Sequence, residues 1–318
     1  MAAINVKTTS RLTKGYLICL SATFSWAFTA IFIRYLTERF DLPALVLAFW
    51  RDLFAALGLF LVIYIVKPVI LKVQARHLKF LILYGGALAV FNSLWTFSVA
   101  LNGAAVATVL AYSSAAFTAV LGWWLLKEPL GRVKLLAVVL GMIGCIFVSG
   151  AYDPSVWRLN PFGILTGILS GLFFACYSLM GKVSSDRSIN PWSAMVYTFG
   201  VAAFMLLGAN VIAGLSANAP SGANLLWLGS QTAGWGVLLV LALGPTVGGF
   251  GFYTLSLTYL PASVANLIAM LEPVLTAIMA YLLLGERLTG MQLLGGLFII
   301  SCVLIVRLSE NRGSLLPV

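Results

Sequence analysis

Charge is what this sequence has least of. Asp, Glu, Lys and Arg make up only 9% of its 318 residues, nine of them are acidic, and there is one histidine. A soluble domain carries about 25% charged residues, so a water-exposed globule is excluded. The scattered acids and the lone His77 offer no metal-ligand cluster, and there is no nucleotide-binding loop or nucleophile–base pair. No enzyme activity, cofactor or metal is therefore expected, and His77, beside Arg76 and Lys79, reads as a solvated loop residue. The four cysteines (Cys19, Cys145, Cys176, Cys302) lie inside apolar runs and read as small hydrophobes, not as disulfides or zinc ligands. The net charge of +10 does not point to nucleic acid, because the basic residues alternate with apolar runs and form no stripe.

What the chain has is apolar length. It is 61% hydrophobic, with mean hydropathy +1.04. About 20 apolar residues in a helix cross a hydrocarbon core. Ten such runs lie near residues 15–37, 44–66, 79–100, 104–126, 132–150, 162–182, 192–214, 234–257, 262–284 and 289–308; they are called spans 1 to 10. Barrel alternation is absent, and an open sheet cannot satisfy its backbone in lipid. The fold class expected is an all-α polytopic membrane protein. Span 1 exceeds 20 residues and lacks a small-x-small exit, so it reads as a spanning helix and not as a cleaved leader. With the N-terminus inside, fourteen Lys and Arg fall on the inner side and four on the outer, Arg51 lying within span 2. The bias places both termini in the cytoplasm.

The sequence also repeats. "LLKEPL" (125–130) matches "LLGERL" (283–288) at an offset of 158, and Ala107, Ala111 and Thr118 match Ala265, Ala269 and Thr276 at the same offset. Nearer the start of each half the offset is 148, which places an insertion in the polar stretch 215–233. The organisation expected is a first five-span repeat over 1–150, a linker over 151–161, a second repeat over 162–308, and a cytoplasmic tail over 309–318. Five is odd, so the second copy enters from the opposite face. Inverted repeats of this kind are typical of transporters.

The stretches "FSWAFTAIFIR", "LAFWRDLFAAL", "WWLLKEPLG" and "LIAMLEPVLTAIMAYLLLGERLTG" together resemble the EamA family of the drug/metabolite transporter superfamily, across nearly the whole chain. The resemblance implies ten helices as two inverted repeats, secondary active transport, and a central cavity lined by spans 1, 3, 4, 6, 8 and 9. It does not fix the cargo, since members carry amino acids, nucleobases, vitamins, sugars and drugs.

One face of span 9 reads Ala265, Ala269, Glu272, Thr276, Ala280, and the matching face of span 4 reads Ala107, Ala111, Ser114, Thr118, Gly122. The copies diverge where Glu272 stands opposite Ser114, and where Pro273 stands opposite Ala115. A carboxylate at mid-bilayer costs at least ~2.5 kcal/mol. Glu272 is thus either a binding or proton-carrying group, or a hinge element that satisfies the backbone Pro273 leaves open. Candidate substrate-binding residues on the expected lining spans are Trp26, Asn92, Trp95, Tyr112, Ser114, Tyr177, Tyr253, Asn266 and Glu272. Arg51 is expected to snorkel to the outer interface from a peripheral span 2, with Asp52 as a helix or loop partner. Glu128 and Glu286 are expected to cap or close loops. With no Lys or Arg buried on the lining spans, an anion-only cargo lacks its charge partner. A neutral, zwitterionic or aromatic metabolite such as an amino acid fits better, with a cationic amine as the alternative and a channel or scaffold as the alternative of another class. The partners expected are a small-molecule substrate and the lipid bilayer of an inner membrane, with proton coupling through Glu272 open and a monomer or homodimer equally compatible.

The charge bias makes a direct prediction. In a cysteine-free background, Ser221→Cys should react with an impermeant maleimide on intact cells. Ala75→Cys should react only after permeabilisation. The reverse pattern inverts the topology.

Overall fold

The computed structural model describes residues 2–156, 160–215, 224–285 and 287–313, and among them no strand occurs. Ten helical segments among the described residues are long and apolar enough to cross a membrane. They comprise α1 (Ala2–Ala27), α2 (Thr29–Phe40), α3 (Ala44–Val66), α4 (Ala75–Asn102), α5 (Ala104–Tyr112), α6 (Ser114–Leu126), α7 (Arg132–Ser149), α8 (Pro161–Asp186), α9 (Pro191–Leu215), α10 (Thr232–Leu241), α11 (Val247–Ser256), α12 (Ala262–Ala269), α13 (Glu272–Leu284) and α14 (Gly290–Gly313). Spans 1, 4, 8 and 9 are each made of two helices.

The ends are set by local chemistry. Gly103 alone joins α4 to α5, at φ +83°. That left-handed backbone is open to glycine and strained for other residues. The side chain of Asn160 caps α8 by accepting from the backbone N–H groups of Phe162 (3.0 Å) and Gly163 (3.1 Å), with Pro161 at the first helical position.

The breaks within spans are tightened turns, not unwound chain. In span 9, Met270 N–H donates to the Leu267 carbonyl and Leu271 N–H to the Ile268 carbonyl, three residues back. Pro273 follows at the second position of α13. Span 4 tightens at the equivalent place, where Ser113 N–H donates to the Leu110 carbonyl. There is no proline there. Instead the Ser113 hydroxyl donates to the same Leu110 carbonyl at 2.6 Å, a back-bond that bends helices. Two different sequence devices therefore give one geometry. In span 8 the break is a wide turn over Ala242–Thr246 that contains Pro245.

Packing between spans obeys a twofold exchange of the two halves. The α4–α8 contact (spans 3 and 6) has its counterpart in α1–α11 (spans 1 and 8). The α5–α8 and α6–α8 contacts (spans 4 and 6) have theirs in α1–α12 and α1–α13 (spans 1 and 9). The pairs α3–α9 and α7–α14 map onto themselves, whereas the α6–α12 contact has no equally close counterpart between α5 and α13. The repeats thus interleave instead of standing side by side. The first and last spans also meet: Arg307 Nη2 donates to Thr13 Oγ1 at 2.9 Å and lies over the Tyr16 ring.

The α7–α14 pair approaches closely through glycine. A Cβ on Gly144 would lie 2.7 Å from the Gly295 carbonyl, and one on Gly295 would lie 2.7 Å from the Gly144 carbonyl. Small residues are what let membrane helices meet at backbone distance. Gly144→Ala should therefore destabilise the bundle by about 1–3 kcal/mol, the usual range for overpacking, and lower the melting temperature in detergent. Gly208→Ala, where a Cβ meets nothing within 4 Å, should leave it unchanged or raise it. Equal melting of both variants would overturn the close approach.

Candidate functional site

A cavity of about 130 Å³ borders the breaks in spans 4 and 9. Its lining comes from the end of α1 and start of α2 (Trp26, Thr29, Ile33), from α3 (Arg51), from α4 (Phe91, Asn92, Trp95), and from α5 and α6 (Thr108, Ala111, Tyr112, Ser114). Phe174, Phe250, Ala269 and Glu272 complete it. These residues lie toward the face that carries the turns at 41–43 and Gly103, opposite the face that carries the chain termini.

Glu272 stands at the first position of α13 and is half-buried. The Tyr112 hydroxyl donates to its Oε2 at 2.7 Å and also lies 3.4 Å from the Ala269 carbonyl, the one that Pro273 deprives of its N–H partner. One phenol from span 4 thus serves both polar groups exposed at the break in span 9.

Arg51 corrects an expectation. It does not snorkel; it is buried and lines the cavity. Its Nε donates to Asp52 Oδ1 at 3.1 Å and its Nη2 to Asn92 Oδ1 at 3.0 Å, while Asn92 Nδ2 donates to Asp52 Oδ2 at 2.8 Å. Asp52 is wholly buried. Consecutive helix positions project to different faces, but the long guanidinium stem folds back, and in a water-free interior an unpaired buried charge is the costlier state. The inference that anionic groups lack a partner here falls with it, because span 2 supplies the cation that the other lining spans lack.

Beyond the cavity the bundle is closed. Tyr177, Tyr253 and Asn266, expected among the lining residues, lie in this floor and are not part of the cavity wall. Their polar atoms are engaged with the protein. The Tyr253 and Ser178 hydroxyls are 2.7 Å apart, the Tyr177 hydroxyl is 3.4 Å from Thr254 Oγ1, and Asn266 accepts from Ser114 (3.1 Å) and donates to Thr118 (3.0 Å). The Trp26 ring packs on Phe250 at 5.1 Å and Tyr253 at 5.2 Å between centroids. The wall and the floor therefore share one aromatic cluster.

Deeper still is a latch. Glu128, at the end of span 4, accepts from the backbone N–H groups of Ala262 (2.7 Å) and Ser263 (3.2 Å) and from the Ser263 hydroxyl. Lys134 Nζ donates to the same hydroxyl at 2.9 Å. A carboxylate here caps the N-terminus of a helix from the other repeat. The expected capping role of Glu128 holds, and Glu286 lies outside the described residues.

Two halves of this sequence match the EamA-like transporter family, over residues 13–150 and 161–308. The chain belongs to that family. Among its relatives, the uncharacterized inner membrane transporter YicL of Salmonella typhimurium is 26% identical, covering 94% of this chain and 97% of that one. A probable amino-acid metabolite efflux pump of the same organism is 28% identical over 62% of this chain and 65% of that one. A solved crystal structure superposes with a TM-score of 0.76 at 15% identity, covering 94% of this chain and 98% of that one, which shows the same fold. The EamA chain is thus a multi-pass membrane protein of a transporter family.

Of the nine candidate residues, Trp26, Asn92, Trp95, Tyr112, Ser114 and Glu272 line the cavity. The sequence reading missed Arg51, Thr29, Thr108, Phe91, Phe174 and Phe250. For Arg51 the signal was present, as the cation farthest from the ends of its span. The phenylalanines carried none, since a lining Phe reads like any other apolar residue of a span.

The latch yields a prediction. Glu128→Ala should remove about 1–3 kcal/mol of stability, the loss of an acceptor shared by three buried donors. Lys134→Met should lose less, since Glu128 still caps the helix. Equal melting of Glu128→Ala and the parent protein would remove the latch from the account.

Proposed function

We propose that this EamA chain is a secondary transporter, working as an exporter or exchanger, for a small neutral, zwitterionic or aromatic metabolite such as an amino acid. The observation that carries this reading is a cavity at the mid-span helix breaks, with the tyrosine–asparagine floor and the Glu128 latch on the side of the chain termini. A site reached from one side at a time, built at discontinuous helices in an inverted repeat, suits alternating access. Six of the fifteen lining residues are aromatic, and fixed polar groups stand among them, a make-up that suits a small-molecule site. The name of the Salmonella efflux pump supports an amino-acid-like cargo for this chain.

With the termini in the cytoplasm of an inner membrane, as the charge bias favours, the cavity faces outward and the latch closes the cytoplasmic side. The organisation proposed keeps repeats over 1–150 and 162–308, a linker over 151–161 and a cytoplasmic tail over 309–318. Glu272 and the aromatic faces also fit a cationic amine, which is the second reading.

Reconstituted protein should show saturable counterflow of amino acids. Flux that rises linearly with concentration, without saturation, would place the chain with channels. Glu272→Gln keeps shape and hydrogen bonding but cannot titrate or neutralise an ammonium. It should lower counterflow of amine-bearing cargo about tenfold or more, in line with loss of a charged hydrogen bond, or abolish its pH dependence, with expression unchanged. Wild-type transport by Glu272→Gln across pH 5 to 8 makes the carboxylate structural.

A further inference from the structure

Arg51 is positioned more tightly than a counter-ion needs. Asp52 and Asn92 are bonded to each other as well as to the guanidinium, so that both Asp52 oxygens and the Asn92 amide are engaged. Among the described residues the Arg51 Nη1 has no acceptor, and Arg51 is part of the cavity wall. The triad therefore fixes the guanidinium plane by Nε and Nη2 and leaves donors unused.

A second observation concerns the same cavity. Five buried polar side-chain atoms among the described residues have no protein partner, and two of them, Trp26 Nε1 and Thr29 Oγ1, belong to residues that line it. Buried polar groups are otherwise nearly always paired. Trp26 Nε1 lies against Gly249, where an added Cβ would meet it at 2.3 Å, so the donor that the wall offers to the cavity is the Arg51 guanidinium. A carboxylate has two oxygens and about four lone-pair sites, and arginine is the side chain best matched to it. Glu272 supplies the complementary sign, with Oε2 held by Tyr112 and Oε1 taking no protein donor.

We infer that Arg51, oriented by Asp52 and Asn92, is the carboxylate-recognising group of this cavity, and that the cargo is an amino-acid-like zwitterion whose ammonium goes to Glu272. This rests on the reading of the cavity as the cargo site. It also makes Asp52 a positioning residue behind the cavity wall, and gives Asn92, which lines the wall, a positioning role.

Three probes separate the ends of such a molecule on a constant aromatic ring: L-phenylalanine, phenethylamine (no carboxylate) and 3-phenylpropionate (no ammonium). Calorimetric titration of the full chain in detergent should show phenylalanine bound more tightly than either fragment. Arg51→Lys keeps the charge and loses the planar fork. It should weaken phenylalanine about tenfold or more, the scale of one charged hydrogen bond, and leave phenethylamine within about twofold. The double variant Arg51→Gln with Asp52→Asn leaves no unpaired buried charge and guards against misfolding of the single change. It should show the same collapse of the phenylalanine-to-phenethylamine ratio, and Glu272→Gln should collapse the ratio to 3-phenylpropionate instead. A wild-type ratio in both Arg51 variants overturns the inference and leaves the transporter reading intact. Equal affinity of the parent protein for phenylalanine and phenethylamine also overturns it, in favour of the amine reading. If the parent binds none of the probes but shows saturable counterflow of another solute, the zwitterion falls and the transporter stands; without counterflow both fall.

Discussion

Spans 4 and 9 cross where each is broken, and the rest of the site depends on that crossing. A bilayer interior supplies no water to free backbone groups or to polar side chains. At the crossing each polar group is met by one from the other span. Tyr112 of α5 donates to Glu272 of α13 and Ser114 of α6 to Asn266 of α12, while Asn266 donates back to Thr118. The carbonyl left open by Pro273 and the carboxylate beside it are served by one phenol. Without this reciprocity, a proline and an acid at mid-span would each stand unsatisfied. With it, the breaks become the bottom of a cavity.

The crossing lies on the pseudo-twofold relation between halves, and the two ends of the bundle differ because the sequence breaks that relation. Glu128, Ser263 and Lys134 form a buried polar latch on the termini face. At the offset of 158, Ser263 corresponds to Ala105 and Lys134 to Gln292. Ala105 has no hydroxyl to offer, and the Gln292 side chain bonds to Thr289 and the Val148 carbonyl. The latch chemistry seen at one end therefore cannot be reproduced donor for donor at the other, and α6 packs on α12 at the latch end more closely than α5 packs on α13 at the cavity end.

Periodicity and length made the ten spans legible, because crossing a membrane leaves so little freedom in composition. The offset of 158 made the inverted repeat legible through short polar and small-residue matches. The broken partner of span 9 was not legible. A proline announces a break, but Ser113 in span 4 reads as an ordinary small residue until its hydroxyl is seen on the Leu110 carbonyl. Arg51 was visible and misread. Its nearness to Asp52 in sequence suggested different faces, and nothing in one dimension says that Asn92 of α4 sits opposite. Tyr177, Tyr253 and Asn266 were recognised as polar groups in the bundle. Whether such a group faces a cavity or a neighbour's hydroxyl depends on how the helices turn against each other, which one dimension does not give.

The Arg51–Asp52–Asn92 triad is the clearest sign that this interior is built for more than holding together. Removing two charges from water carries a penalty that their attraction repays only with good geometry, and an apolar replacement of like volume is often as stable or more so. Helix packing by small residues, as at Gly144 and Gly295, holds membrane helices together without that penalty. Stability alone thus gives little reason for a guanidinium in the cavity wall. The reason the geometry offers is directional: two side chains fix the plane of a third, and the third lines a cavity that the Glu272 carboxyl group also lines. A group fixed in advance loses little freedom when it binds. That advantage arises only when a ligand arrives, so the desolvation of Arg51 and Asp52 is offset in the loaded site more fully than in the empty one.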